Sequence, residues 1–92
     1  MSQTLVRSRL HESCSAYIMI TCESGSEGTI REELESIDGV KEIQSTFGAY
    51  DILAKIESPT IESLRDIIVH KIRKISKIRA TTTVVCEPSH LL

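Results

Sequence analysis

The sequence predicts an α+β domain in which two helices lie on one face of a four-stranded antiparallel sheet, and three features lead to it. Four short segments alternate or run apolar in the manner of strands. Two more carry apolar residues at intervals of three and four, as amphipathic helices do. Their order along the chain is strand, helix, strand, strand, helix, strand. Two right-handed crossovers joined by a hairpin then produce the ferredoxin-like βαββαβ arrangement. That topology specifies no activity, because it carries enzymes, metal chaperones, nucleic-acid binders and ligand sensors alike.

The first strand runs from Ala16 to Cys22, with Ala16, Ile18 and Ile20 on one face and Tyr17, Met19 and Thr21 on the other. Both faces are largely apolar, and one helical layer covers only one of them, so the other face is expected to meet a second sheet or subunit. Ser24 with Glu27 forms a capping-box pattern, with Ser26 as a competing cap. Ile30, Leu34 and Ile37 follow as the stripe of a helix that stops at Asp38 and Gly39. Val40 to Ser45 includes Lys41, Glu42 and Gln44, a composition suited to an edge strand. Asp51 to Ile56 is more apolar, and Gly48 supplies the hairpin turn between the two. Ser58 followed by Pro59 marks the start of a second helix, whose stripe is Ile61, Leu64, Ile68, Ile72 and Ile75, widened by Ile67 and Val69. The last strand spans about Arg79 to Glu87 and is stopped by Pro88.

Composition narrows the function classes. The chain has 92 residues, a formal net charge of −2 and 26% charged residues, values that fit one soluble domain and give no electrostatic excess for nucleic acid. So small a core gains from association. A lead segment, 1–15, precedes the domain, 16–92. The lead lacks the apolar core of a signal peptide and no segment is long and apolar enough to span a membrane, so a cytoplasmic protein is expected. Fifteen residues are also too few for a helix-turn-helix and its linker, so sequence-specific DNA binding is not expected. The basic run Lys71, Arg73, Lys74, Lys77 and Arg79 complements the dipole at the end of the second helix. Aromatic residues are confined to Tyr17, Phe47 and Tyr50, a poor supply for base stacking.

The turn Phe47, Gly48, Ala49, Tyr50, Asp51 and the alternating threonines Thr81 and Thr83 resemble the effector-binding RAM domain of the Lrp/AsnC transcription regulators, from about Ala16 to Glu87. Phe47 stands where a small or hydroxylated residue often precedes the glycine, and Lys77 where a glycine often precedes the last strand. The resemblance implies a homo-oligomer in which helix-free sheet faces form a dimer, dimers assemble into rings, and amino-acid-like effectors sit between dimers near the glycine turn. It implies a non-enzymatic, stand-alone regulator that can also modulate full-length regulators by mixed assembly. For such a ligand, Asp51 offers an acceptor for an ammonium group, and backbone N–H groups around Gly48 with the Thr81 or Thr83 hydroxyls offer donors for a carboxylate. The residues alone favour a structural role, with a hairpin glycine, strand-forming Tyr and Thr, and an aspartate that satisfies turn backbone, and it is the resemblance that raises the binding role beside it.

Two other readings stand beside this one. His11 and Cys14 precede the first strand while Cys86 and His90 follow the last, and in this topology those strand ends are neighbours, so the four could bind zinc or copper. Against that, Cys14 and Cys86 serve as small strand-end residues and the histidines as parts of chain ends. The odd number of cysteines argues against a disulfide framework. The other reading is an ACT-like regulatory subunit of a metabolic enzyme, which shares the strand order. No catalytic constellation accompanies His70, and Glu32, Glu33 and Glu35 fall on the solvated side of the first helix.

Overall fold

The structure, a computed structural model, describes residues 13–86. Strand β1 (Cys14–Cys22) leads into helix α1 (Glu27–Glu35), followed by β2 (Val40–Ser45), β3 (Ile52–Ser58), helix α2 (Ile61–Asp66), its π-helical continuation (Ile67–Ile72) and β4 (Ile78–Cys86). The sheet order is β2-β3-β1-β4 and every pairing is antiparallel, which is the predicted ferredoxin-like topology with β2 on an edge.

Alternation along the two inner strands builds the core. Ala16, Ile18 and Ile20 of β1 and Ile52, Ala54 and Ile56 of β3 are fully buried under the helices. They meet Ile30 and Leu34 of α1 and Leu64, Ile68 and Ile72 of the second helix. Burying each such large aliphatic side chain stabilises the fold by about 1.5–3 kcal/mol before entropy is set against it.

Both helix starts differ in detail from the sequence expectation. Ser26, not Ser24, occupies the N-cap of α1, and its hydroxyl donates to the Glu23 carbonyl at 2.6 Å instead of accepting from a helix amide. The second helix begins beyond Pro59, because Thr60 forms the cap: its Oγ1 accepts from the Ser63 N–H at 3.0 Å while Ser63 Oγ accepts from the Thr60 N–H at 3.2 Å. The Ser63 hydroxyl also reaches Ser58 at the end of β3, which satisfies a buried polar group. Ile61 is therefore the first helical residue and is 43% exposed, outside the stripe that its periodicity suggested. Farther on, the Arg73 N–H donates to the Ile68 carbonyl at 3.0 Å, a five-residue bond that widens the last turns into a π-helix. This lets Ile67, Ile68 and Ile72 all turn inward.

Two positive-φ positions hold the connections. Gly39, at φ 100°, brings the α1–β2 turn against the sheet, where a Cβ would lie 2.7 Å from Ile67 Cδ1 and 3.1 Å from the Glu57 carbonyl. Its own carbonyl accepts from the Glu57 N–H at 2.8 Å. Lys77 adopts φ 72° just before β4, and its carbonyl accepts from the Glu23 N–H at 2.9 Å. A lysine bears the left-handed conformation there at a cost that glycine avoids. Replacement Lys77→Gly is expected to raise unfolding stability by about 1 kcal/mol, whereas Gly39→Ala lowers it by more than about 2 kcal/mol, both read from denaturant unfolding.

Candidate functional site

The glycine turn and the start of β4 come to the same end of the sheet. Residue pairing makes this explicit: Ile20 sits between Ile52 of β3 and Thr81 of β4. Beyond Ile20, Cys22 pairs with Ile78. Asp51 closes the arrangement from the other side. Its N–H donates to the Ile20 carbonyl at 2.8 Å, its carbonyl accepts from the Thr46 N–H at 2.9 Å, and Oδ2 accepts from the Cys22 N–H at 2.7 Å. A charge-assisted bond of that length fixes the carboxylate on the end of β1. Thr46 adds a hydroxyl donated to the Tyr50 carbonyl at 2.7 Å.

The tip of the turn projects away from these bonds. Gly48 has φ 106° with nothing within 4 Å of the position a Cβ would take. Phe47 is fully exposed, Ala49 is exposed and Tyr50 is half-buried. Asp51 thus has a structural role, as one residue-level reading anticipated, and still carries a second carboxylate oxygen.

The two threonines divide between different clefts. Both lie on the helix face of β4, opposite Ile20 and Ile18. Thr83 lines an apolar groove with Ile61, Leu64, Ile68 and Val85, capped by Arg65. Thr81 lines a polar cleft with Arg73, Ile78, Arg79 and Ala80. Neither arginine stood out from the basic run in the sequence. The signal missed was the backbone: Thr21 pairs with Ala80 and Cys22 with Ile78, so Arg79 is the extra residue of a bulge.

The helix-free face of the sheet carries Tyr17, Met19, Leu53 and Lys55, with Val84 49% exposed beside Tyr17. Lys55 Nζ lies 5.9 Å from the centre of the Tyr17 ring and 3.5 Å from Glu57 Oε2. Tyr17 and the hydrogen bond to Glu57 hold the Lys55 ammonium above its ordinary pKa.

Of the four proposed metal residues, two are described, and they take opposite faces of the sheet. Cys14 packs against the core on the helix face, whereas Cys86 pairs with Ser15 and so takes the opposite face. His11 and His90 lie outside the described residues. Among the described residues no group of three His, Cys, Asp or Glu side chains is disposed to hold a metal ion. His70 is exposed, with Nε2 3.8 Å from Asp66 Oδ1.

Comparison with known proteins follows the same outline. The family model described as the Lrp/AsnC ligand binding domain matches residues 15–87. An uncharacterised HTH-type transcriptional regulator of Pyrococcus furiosus is 29% identical over 80 residues, covering 84% of this chain and 53% of the regulator. A homocitrate synthase of Sulfurisphaera tokodaii is 37% identical over 73 residues, 78% of this chain but 16% of the enzyme. The chain thus spans about half of the first of these curated relatives and about a sixth of the second. Among solved structures, a hypothetical protein of Pyrococcus horikoshii superposes with a TM-score of 0.78 at 32% identity, covering 84% of this chain and 93% of that one.

Two measurements test the local chemistry. Asp51→Ala leaves the Cys22 N–H without its acceptor and is expected to cost about 1–3 kcal/mol, while Gly48→Ala costs about 1 kcal/mol through φ alone, both by denaturant unfolding. Burial first, and Asp51 and Glu27 after it, push the Cys22 thiol above its ordinary pKa. Thiol titration of the native protein at neutral pH is accordingly expected to modify Cys14 and Cys86 well before Cys22.

Proposed function

We propose, from the premise that this chain belongs to the Lrp/AsnC ligand-binding domain family, that it is a non-enzymatic regulatory protein which binds a small amino-acid-like effector at a subunit interface. The observation that carries this reading is the extent of the family match, which takes in all four strands, both helices and the glycine turn. Family membership supports a regulatory role, and the residues then suggest how it works. Asp51, held by the Cys22 amide, presents its remaining oxygen to an ammonium group. The open backbone at Gly48 admits a carboxylate to its N–H groups, and Thr81 at the same end of the sheet adds a hydroxyl donor. Exposed Phe47 and half-buried Tyr50 supply apolar surface on which a neighbouring dimer closes the site.

Oligomerisation is part of the reading. Tyr17, Met19, Leu53 and Val84 make an apolar sheet face that the two helices of this chain do not cover. Pairing two such faces gives an isologous dimer and leaves the glycine turns at its rim, available to further dimers or to a full-length regulator. Specific DNA binding is not ascribed to the described domain, whose role is to sense. Among the described residues no helix is long and apolar enough to cross a membrane.

A second reading is favoured by one observation, the relationship to about a sixth of a homocitrate synthase. On that reading the same domain regulates a biosynthetic enzyme instead of a transcription factor. The effector site is common to both, and the controlled partner differs.

Light scattering at micromolar concentration is expected to find a dimer or larger assembly, and Met19→Glu on the open face to shift it toward monomer. A well-folded wild-type monomer would remove the interface. Calorimetry across the common amino acids is expected to find one that binds wild type and binds Asp51→Asn at least about tenfold more weakly, the loss of one charge-assisted contact. Because the site lies between dimers, that ligand also shifts the sedimentation profile, since binding and assembly are linked. Equal binding to the two proteins would make Asp51 purely structural.

A further inference from the structure

The structure assigns a second polar subsite beside the glycine turn: we infer that Arg73, Arg79 and Thr81 bind a carboxylate, so that the preferred effector is an acidic amino acid. This deepens the effector reading and rests on it for the ammonium contact at Asp51, but not for the anion contact.

Three independent features converge there. The first is a cleft of about 310 Å³ lined by Arg73, Ile78, Arg79, Ala80 and Thr81, large enough for a small carboxylic acid and its water. The second is charge without internal use. The ion pairs among the described residues are Lys55 with Glu57 and His70 with Asp66, so both guanidinium groups in the cleft are left to solvent. The third is irregular backbone on each side. Arg73 caps the π-helical segment, Lys77 holds φ 72°, and Arg79 is the extra residue of the bulge opposite the Thr21–Cys22 step. Arg79 and Thr81, two residues apart on β4, both line the cleft, and the bulge leaves Arg79 without a partner residue on β1. Backbone irregularity of this kind gathers at ligand sites more often than in plain scaffold.

Guanidinium groups suit a carboxylate because their planar donors match its two oxygens, and a threonine hydroxyl supplies a neutral donor beside them. The C-terminal carbonyls of the second helix carry about half a negative charge, which one arginine more than offsets, and the second adds to the net attraction for an anion. Asp51, Glu23 and Glu27 are acids adjoining this end of the sheet, the first bonded to the Cys22 N–H, the second joined through its own N–H to the Lys77 carbonyl and the third acting on the Cys22 thiol. They disfavour a plain dianion and favour a ligand that also bears a cation. Cys22 connects the two halves of the site, since its N–H holds Asp51 while it pairs with cleft residue Ile78. β1 lies between β3 and β4, so the backbones that carry Asp51 and the cleft are about two strand spacings, roughly 10 Å, apart, a gap that long arginine side chains can narrow.

The test is calorimetry of the full chain with L-aspartate and with L-asparagine, which has nearly the same shape and no side-chain charge. Aspartate is expected to bind at least about tenfold more tightly, with Arg79→Gln and Arg73→Gln each reducing that preference and leaving asparagine affinity within about twofold. Succinate, which lacks the ammonium, serves as a control for the anion contact alone. Should amino acids bind with no preference for aspartate, or should the preference survive both arginine substitutions, the carboxylate subsite is overturned and the effector reading stands. Arg79-dependent succinate binding with no amino acid bound would support the subsite and overturn the ammonium contact at Asp51. Absence of binding by all three ligands would overturn the subsite, as would an oligonucleotide complex that salt dissociates and aspartate does not.

Discussion

Everything else in this fold is set by the burial of alternate residues along β1. Ala16, Ile18, Ile20 and Cys22 lie under the helices, so the strand cannot slip by one residue without exposing three isoleucine-sized or sulfur-bearing contacts and burying Tyr17 and Met19. β1 pairs on both sides, with β3 and with β4. Its register therefore dictates theirs. It is why Thr81 and Thr83 face the helical layer, why Cys14 and Cys86 fall on opposite faces, and why Asp51 reaches the one amide at the end of the strand that needs an acceptor.

The sheet consequently has two unlike sides. Its helical side is an aliphatic layer closed over β1 and β3, with Ser58 matched by Ser63, and open along β4, where Thr83 and Val85 line a groove. The other side is apolar without being closed, and it carries Lys55 among Tyr17 and Glu57 in place of a continuous hydrocarbon surface. A lysine there makes association depend on where its charge is met. Pairing of two such faces therefore favours a geometry in which each ammonium stays near a ring or carboxylate, which specifies orientation more than it adds affinity.

Much of this was legible in the residue pattern. Alternation in β1 and β3, the charged edge of β2 and the stops at Gly39 and Gly48 follow from period and turn chemistry, and the strand order follows from connection rules. Ile61 misled because apolar spacing counts a residue without knowing which turn of the helix first touches the sheet. The helix start was misplaced for a related reason: Ser, Pro and Thr in succession offer several caps, and the Thr60–Ser63 pair wins by satisfying two amides at once. The cleft formed by Arg73, Arg79 and Thr81 was illegible, since a bulge is a mismatch between two strands and leaves little trace in either alone. The family resemblance located the glycine turn and both threonines, while assigning those threonines to separate clefts required coordinates.

The π-helical stretch from Ile67 to Ile72 has a consequence for how this sequence tolerates length change. A π turn houses one residue more than an α turn, so losing one residue there lets the helix revert to ordinary geometry without opening its hydrogen-bond ladder. An α-helix advances about 100° per residue and a π turn less, so the change of geometry compensates for the lost residue and leaves Arg73 and Lys77 near their present phase. The stretch is thus the place where the second helix can lose a residue while the cleft wall that Arg73 provides stays in position.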